Sequence, residues 1–152
     1  IIGHVKDGIK LSKEYRLPPA IANFIPMHHG TSKIDFFYNK ALEMFNNDVS
    51  KINENDFKYP GPKPNTKETG LLMICEAVEA AVRSLKNPTL SKIESMADKI
   101  IQKRLQDGQL DNCPLTISDL TKIKGDMRGK YGMMSVFKGI YHLRIEYPDP
   151  KE

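Results

Sequence analysis

The chain has little cysteine: Cys75 and Cys113 are the only two in 152 residues. Two distant thiols make neither a disulfide framework nor a paired zinc site, and they suit a reducing compartment. Long apolar runs are missing as well. None approaches the ~20 residues that a helix needs to cross a bilayer. The sequence opens Ile1-Ile2-Gly3-His4, without an initiator Met or a secretory signal, and reads as cut from something longer. There is no P-loop and no dinucleotide glycine motif. Nothing places a Ser beside a His, so a Ser/His/Asp triad has no support. The net charge is +4, from 23 Lys+Arg against 19 Asp+Glu, which is mild for a nucleic-acid binder and compatible with a small anionic substrate. With 39% apolar and 28% charged residues, the composition excludes a disordered or collagen-like chain. It fits one domain, or a large piece of one.

What is present is helical. A first helix is expected over His4–Tyr15, ended by Leu17-Pro18-Pro19. A second runs Pro19–His29, with Ile21, Phe24 and Ile25 on one face and Gly30 as its stop. A third covers Ser32–Phe45. Asn46-Asn47-Asp48 signals a turn, and Phe57–Pro64 carries too many prolines for a helix or central strand, so it is a stiff loop. Asn65, with Glu68 three residues on, is expected to cap a helix reaching Leu85. That helix is apolar nearly all round and reads as the central one. Thr89 caps the next, with Ile93, Met96, Ile100, Ile101 and Leu105 inward and Gly108 as the stop. Thr116 and Asp119 start the last helical region, which reaches His142 with a break around Gly125, Gly129 and Gly132. Tyr147–Glu152 is an extended tail. No strand pattern survives, and the fold class is all-α.

Four residues could serve as imidazole ligands: His4, His28, His29 and His142. Neighbours on a helix point ~100° apart. His28 and His29 can therefore face one site only where the helix ends, and Gly30 supplies that end. A surface or packing role for the pair stays open. Glu76 and Glu79 share a face of the apolar helix at i,i+3 spacing. Arg83 is a ready partner for Glu79, which leaves Glu76 as the better ligand candidate. The stiff loop offers Lys58, Tyr59 and Lys63, two cations and an aromatic that could hold a phosphate and stack a base, or merely connect. His142 and Arg144 lie in Tyr141–Pro148, which reads most simply as a terminal anchor. Lys122, Lys124, Arg128 and Lys130 read as a solvated helix face.

Several segments then occur in a telling order: His4-Val5-Lys6-Asp7-Gly8, His28-His29-Gly30-Thr31, Phe36-Phe37-Tyr38, Phe57-Lys58-Tyr59-Pro60-Gly61-Pro62-Lys63-Pro64, Val78–Leu85, Asp107-Gly108-Gln109-Leu110 and Tyr141–Pro148. Together they resemble the cytosolic HD domain of the bacterial seven-transmembrane HD proteins of the PgpH type, over nearly the whole chain. The resemblance implies an all-helical HD-superfamily domain, partial here. Residues 1–147 would be the HD domain without its N-terminal helices, and 148–152 a tail. It implies hydrolysis of cyclic di-AMP to the linear dinucleotide at a pair of divalent ions, iron or manganese. His4, His28 and His29 would be the three His of one metal position. The family's closing Asp falls on Glu76, one methylene longer. Tyr59, Lys63 and Arg144 would contact the phosphate or base of the cyclic dinucleotide. Lys58 stands where the family usually has Arg and lacks that residue's bidentate fork. The family's earlier His and its His-Asp pair precede Ile1. This chain is therefore expected to hold at most one ion and to hydrolyse poorly alone, with exposed apolar surface that favours self-association. The resemblance further implies the cytoplasmic side of the membrane, reached only through a parent transmembrane region, and no nucleic-acid polymer as partner. The signature Gly-Tyr-Pro run of the cyclic di-GMP branch is absent. A different class, a nucleotide-sensing or interaction module that has lost catalysis, is the alternative.

Overall fold

The computed structural model of the chain describes residues 1–86, 88–125 and 131–142. The described residues form helices α1 (Gly3–Glu14), α2 (Pro19–Ala22), α3 (Phe24–Met27), α4 (Asp35–Met44), α5 (Lys67–Arg83), α6 (Leu90–Gln106), α7 (Ile117–Lys124) and α8 (Gly132–His142). Two 3-10 turns, Val49–Lys51 and Glu54–Phe57, lie between α4 and α5. Among the described residues there is no strand, only one isolated bridge between Lys33 and Lys58. The all-α expectation holds. The chain divides into two compact units. The first is Ile1–Met73 with Arg104–Pro114, and the second is Ile74–Lys103 with the described residues of Leu115–Glu152.

In the first unit α1 and α2 both pack against α3. Helix α1 buries Val5 and Ser12, and the Ser12 hydroxyl donates back to the Ile9 carbonyl at 2.8 Å. It ends before the prolines act. Arg16 takes a left-handed conformation (φ 52°), and Leu17 and Arg16 N–H groups donate to the carbonyls of Ser12 and Lys13. This is a Schellman closure, which satisfies carbonyls that the helix end would otherwise strand. Helix α4 closes the same way at Asn46 and Asn47, and α6 at Gly108 and Gln109. The turn signal at Asn46 and the stop at Gly108 are those anticipated.

Three helix expectations need correction here. The single helix over Pro19–His29 is two one-turn pieces, because Pro26 has no N–H to give to the Ala22 carbonyl. The third helix begins at Asp35, not Ser32. Residues 32–34 are occupied elsewhere: the Ser32 carbonyl accepts from Tyr59 N–H at 3.0 Å, and Ile34 N–H donates to Phe57 at 2.8 Å. Helix α5 is capped one residue later than expected. The Thr66 hydroxyl accepts from Thr69 N–H (3.2 Å) and the Thr69 hydroxyl from Thr66 N–H (3.1 Å), a reciprocal box in place of Asn65 and Glu68.

Helix α5 is not apolar and buried on all sides either. Met73, Ile74, Val78 and Val82 are fully buried, but Leu71 and Leu72, nearer its start, are 40% and 39% exposed. In the second unit, Thr89 caps α6 at Lys92 N–H. Ile93, Ala97 and Ile101 are buried, Met96 and Ile100 half-buried. Leu105, expected inward, is exposed, because it lies in the last turn of α6, past the buried stripe. The Thr116–Asp119 capping box is complete. Helix α7 stops at Gly125 (φ 80°), where a Cβ would strike the Tyr131 carbonyl. The expected break is there, and α7 packs on α8 across it. Lys124 is not a solvated cation. It pairs with Asp98 at 2.9 Å and Glu94 at 3.5 Å, tying α7 to α6, and the Asp98 hydrogen bond raises its pKa. Arg128, Lys130, Arg144 and the Tyr147–Glu152 tail lie outside the described residues. No described helix is long and apolar enough to cross a membrane.

Candidate metal centre

Three imidazoles from two short helical segments meet in the first unit. His4 stands in the first turn of α1, and His28 is the residue that ends α3. His28 keeps helical dihedrals (φ −64°, ψ −23°), and two residues later Gly30 turns left-handed (φ 54°), its N–H held by the Met27 carbonyl at 3.0 Å. The chain thus leaves the helix between the two histidines, and consecutive side chains converge. Ring centroids are 4.0 Å apart for His28–His29, 5.0 Å for His4–His29 and 5.3 Å for His4–His28. One ring nitrogen or more from each residue lies within 4.8 Å of the others, and this is the His/Cys/Asp/Glu group suited to a cation among the described residues.

The hydrogen bonds decide what those nitrogens can do. His28 Nδ1 donates to the Ile25 carbonyl at 2.7 Å, and His4 Nδ1 donates to the Ile1 carbonyl. A ring that donates from Nδ1 presents a bare lone pair at Nε2. The two Nε2 atoms face each other at 3.2 Å. Two lone pairs so placed repel unless a cation sits between them or one ring takes a second proton. With metal–nitrogen bonds of ~2.0–2.1 Å, adjacent ligand nitrogens on one ion lie about 3.0–3.4 Å apart. The three residues fit a borderline divalent ion, and the backbone carbonyls supply the orienting contacts that ligating histidines need. His29 is held neutral. Burial, then the charges of His28, His4 and Arg104, lower its pKa to about 4. Tyr59 lies flat beneath it, ring centroids 4.1 Å apart and planes inclined by 24°.

The other sequence candidates are dispersed. Glu76 belongs to the second unit, half-buried on α5. Glu79 and Arg83 form the expected i,i+4 pair at 3.6 Å. Lys63 Nζ lies 3.7 Å from Asp111. Lys58 is bound to Glu54 at 2.6 Å, which also takes Lys33 at 3.4 Å; the Lys58 bond, then the Lys33 charge, lowers the Glu54 pKa. The stiff loop is thus anchored to its surroundings, and its cations have carboxylate partners. Two features escaped the sequence reading. One is the stack of Tyr59 on His29. The other is Gln109, a buried polar residue just past the α6 stop, bonded to Thr31. Its marks in the sequence are its place in the Asp107–Leu110 segment and a polar side chain directly after a Gly stop.

An all-helical scaffold that gathers three imidazoles at helix ends, with no cysteine among them, has the character of a metal-dependent HD domain. Comparison with known proteins agrees. No family model matches the chain. It is 41% identical over 149 residues to the cyclic-di-AMP phosphodiesterase PgpH of Bacillus subtilis (strain 168), covering 98% of this chain and 20% of the relative. To the protein of the same name from Listeria monocytogenes it is 42% identical over 152 residues, again 20% of the relative. The chain spans about a fifth of the length of these curated relatives. The crystal structure of the L. monocytogenes PgpH HD domain in complex with cyclic-di-AMP superposes with a TM-score of 0.81 at 39% identity, over 96% of this chain and 64% of that one. The chain belongs to the PgpH family of HD domains and corresponds to part of such a domain.

Proposed function

We propose that this chain is the metal-ligating part of a phosphodiesterase domain that opens cyclic di-AMP to the linear dinucleotide. The observation that carries the reading is the pair of bare Nε2 atoms facing each other at 3.2 Å beside a neutral His29. The names of the relatives, and the cyclic dinucleotide bound in the solved domain, point to the same substrate. His4, His28 and His29 would hold one divalent ion, iron or manganese. A complete domain holds two. Bound there, the ion supplies Lewis-acid polarisation of the phosphodiester and acidification of water at neutral pH. The residues of the chain do the rest. The Ile1 and Ile25 carbonyls hold the His4 and His28 rings with Nε2 inward. Burial keeps a proton off His29. Lys63, released from Asp111, meets a phosphate; Tyr59 and Arg144 meet phosphate or base. The domain sits on the cytoplasmic side of a membrane, tethered by a transmembrane part of the longer protein.

Metal content by mass spectrometry, with cyclic di-AMP turnover followed chromatographically, tests this in wild type and His28→Ala. About one iron, manganese or zinc per chain, lost in the variant, supports it. A wild type that takes up no metal when ions are added counts against it. A second reading, a nucleotide-sensing module without catalysis, is favoured by Glu76 in the place of the family's Asp. Binding of cyclic di-AMP with metal present and no turnover in the longer protein would select it.

A further inference from the structure

Gln109 is 4% exposed, so its amide needs partners inside the protein. It stands directly after Gly108 (φ 61°), and its N–H donates to the Arg104 carbonyl at 2.9 Å. The residue at this position of a Schellman closure is usually apolar and folds back on its own helix. Here it reaches across the unit instead. Gln109 Oε1 accepts from Thr31 N–H at 2.9 Å and from the Thr31 hydroxyl at 3.3 Å. Gln109 Nε2 donates to Thr31 Oγ1 at 3.1 Å and to the Asp107 carbonyl at 3.4 Å. Both ends of the amide are thus engaged with one residue 78 positions away. Thr31 is the residue that follows His28-His29-Gly30. A Cβ on Gly30 would stand 2.7 Å from Oε1, so the glycine leaves the room that the amide fills.

We propose that Gln109 is a positioning residue for the His28-His29 pair. It pins the turn at Thr31 and so fixes the backbone from which both imidazoles project. It acts through Thr31. The proposal rests on the reading of these histidines as metal ligands. Leucine at 109 would leave the Thr31 N–H without its acceptor. Glutamate would keep that acceptor and lose both Nε2 donations, to Thr31 Oγ1 and to the Asp107 carbonyl.

The test compares the full chain with Gln109→Leu, Gln109→Glu and a control, Thr116→Ala, which loses a helix cap in the second unit. Cobalt(II) affinity is read from visible absorption well below each melting point. Imidazole nitrogen–proton correlation spectra are recorded on the metal-free proteins. The expected result is a 10–100-fold loss of cobalt affinity in Gln109→Leu, the range for contacts that orient metal ligands. His28 and His29 resonances should broaden or double, Gln109→Glu should recover part of the affinity, and Thr116→Ala should match wild type. A Gln109→Leu protein with lowered melting temperature but wild-type affinity and ring spectra would overturn the proposal, since a packing role does only that. A wild type that takes up no cobalt defeats the metal reading, and the ring spectra of the metal-free proteins then decide the positioning role alone. If Gln109→Leu fails to fold, Gln109→Glu carries the same comparison: reduced affinity and disturbed rings support the role, and wild-type values refute it.

Discussion

The two units of this chain are both helical, yet they are held together by different means. The second is made of long elements. Its part of α5, nearly all of α6, α7 and α8 follow apolar periodicity and bury Ile74, Val78, Val82, Ile93, Ala97 and Met134, and α6 and α7 start at hydroxyl caps. The first combines α1 and α4 with shorter pieces. Two of its helices have four residues each, a length with no stability of its own. Its order comes from bonds that cross the sequence: Tyr59 to Ser32, Phe57 to Ile34, Cys113 Sγ to the Thr66 carbonyl, Gln109 to Thr31. The difference teaches where a ligand cluster can be built. Consecutive histidines converge only at a helix end, and a helix end leaves orphan backbone groups. A unit rich in ends needs many specific contacts to close them. The second unit needs few and carries no such cluster among its described residues.

That contrast can be broken most severely at the ligands. His28→Ala should abolish tight cobalt or manganese binding, at least 100-fold by titration, while the metal-free protein keeps or gains stability because a repelling lone pair is gone. Binding that survives the substitution would remove the metal centre from the first unit. Next comes Gly30→Ala. The left-handed backbone and the collisions with Gln109 Oε1 and Met73 Cε, both at 2.7 Å, should cost about 2–4 kcal/mol in urea denaturation. A loss under about 0.5 kcal/mol would show that the turn adapts and is not a lock.

Acid should separate the units more gently. Folded His29 takes a proton only near pH 4, while the unfolded imidazole takes it near 6.5. Between those values the unfolded chain binds more protons, so stability rises with pH through the window and falls on acidification. Because the ring is only half-buried, screening limits the effect to about 1–2 kcal/mol. Melting curves from pH 4 to 7, compared with His29→Gln, isolate it; equal slopes in both proteins would contradict the assignment. The smallest effect belongs to the regular unit. Thr116→Ala should cost about 1 kcal/mol and leave metal affinity untouched. A change in affinity there would mean that the two units are energetically coupled at the site.

Much of the second unit was legible because its signals are local. Thr89, Thr116 with Asp119, and Gly125 each act within one turn of where they stand. So do Gly30 and Gly108 in the first unit, and the requirement that His28 and His29 straddle a helix end follows from the pitch of the helix alone. The misreadings fall where distant residues compete. Ser32–Ile34 looked helical but are paired with Phe57–Tyr59. Leu71 and Leu72 belong to a helix that reads as apolar nearly all round, yet they are exposed, because hydropathy does not say which residues the rest of the fold covers. Lys63 looked free until the fold brought Asp111 to it. Pro26 is the exception, a local breaker within a pattern that otherwise read as one helix.

The sequence by itself thus determined the all-helical class, most helix ends and the three imidazoles, through periodicity, caps and glycines whose reach is a few residues. The tertiary structure alone decided that His4 meets His28 across 24 positions, that Tyr59 lies under His29, and that Gln109 closes the turn from 78 positions away. Those contacts form only after chain entropy has been overcome by the packing of whole helices, and no window of neighbouring residues contains them.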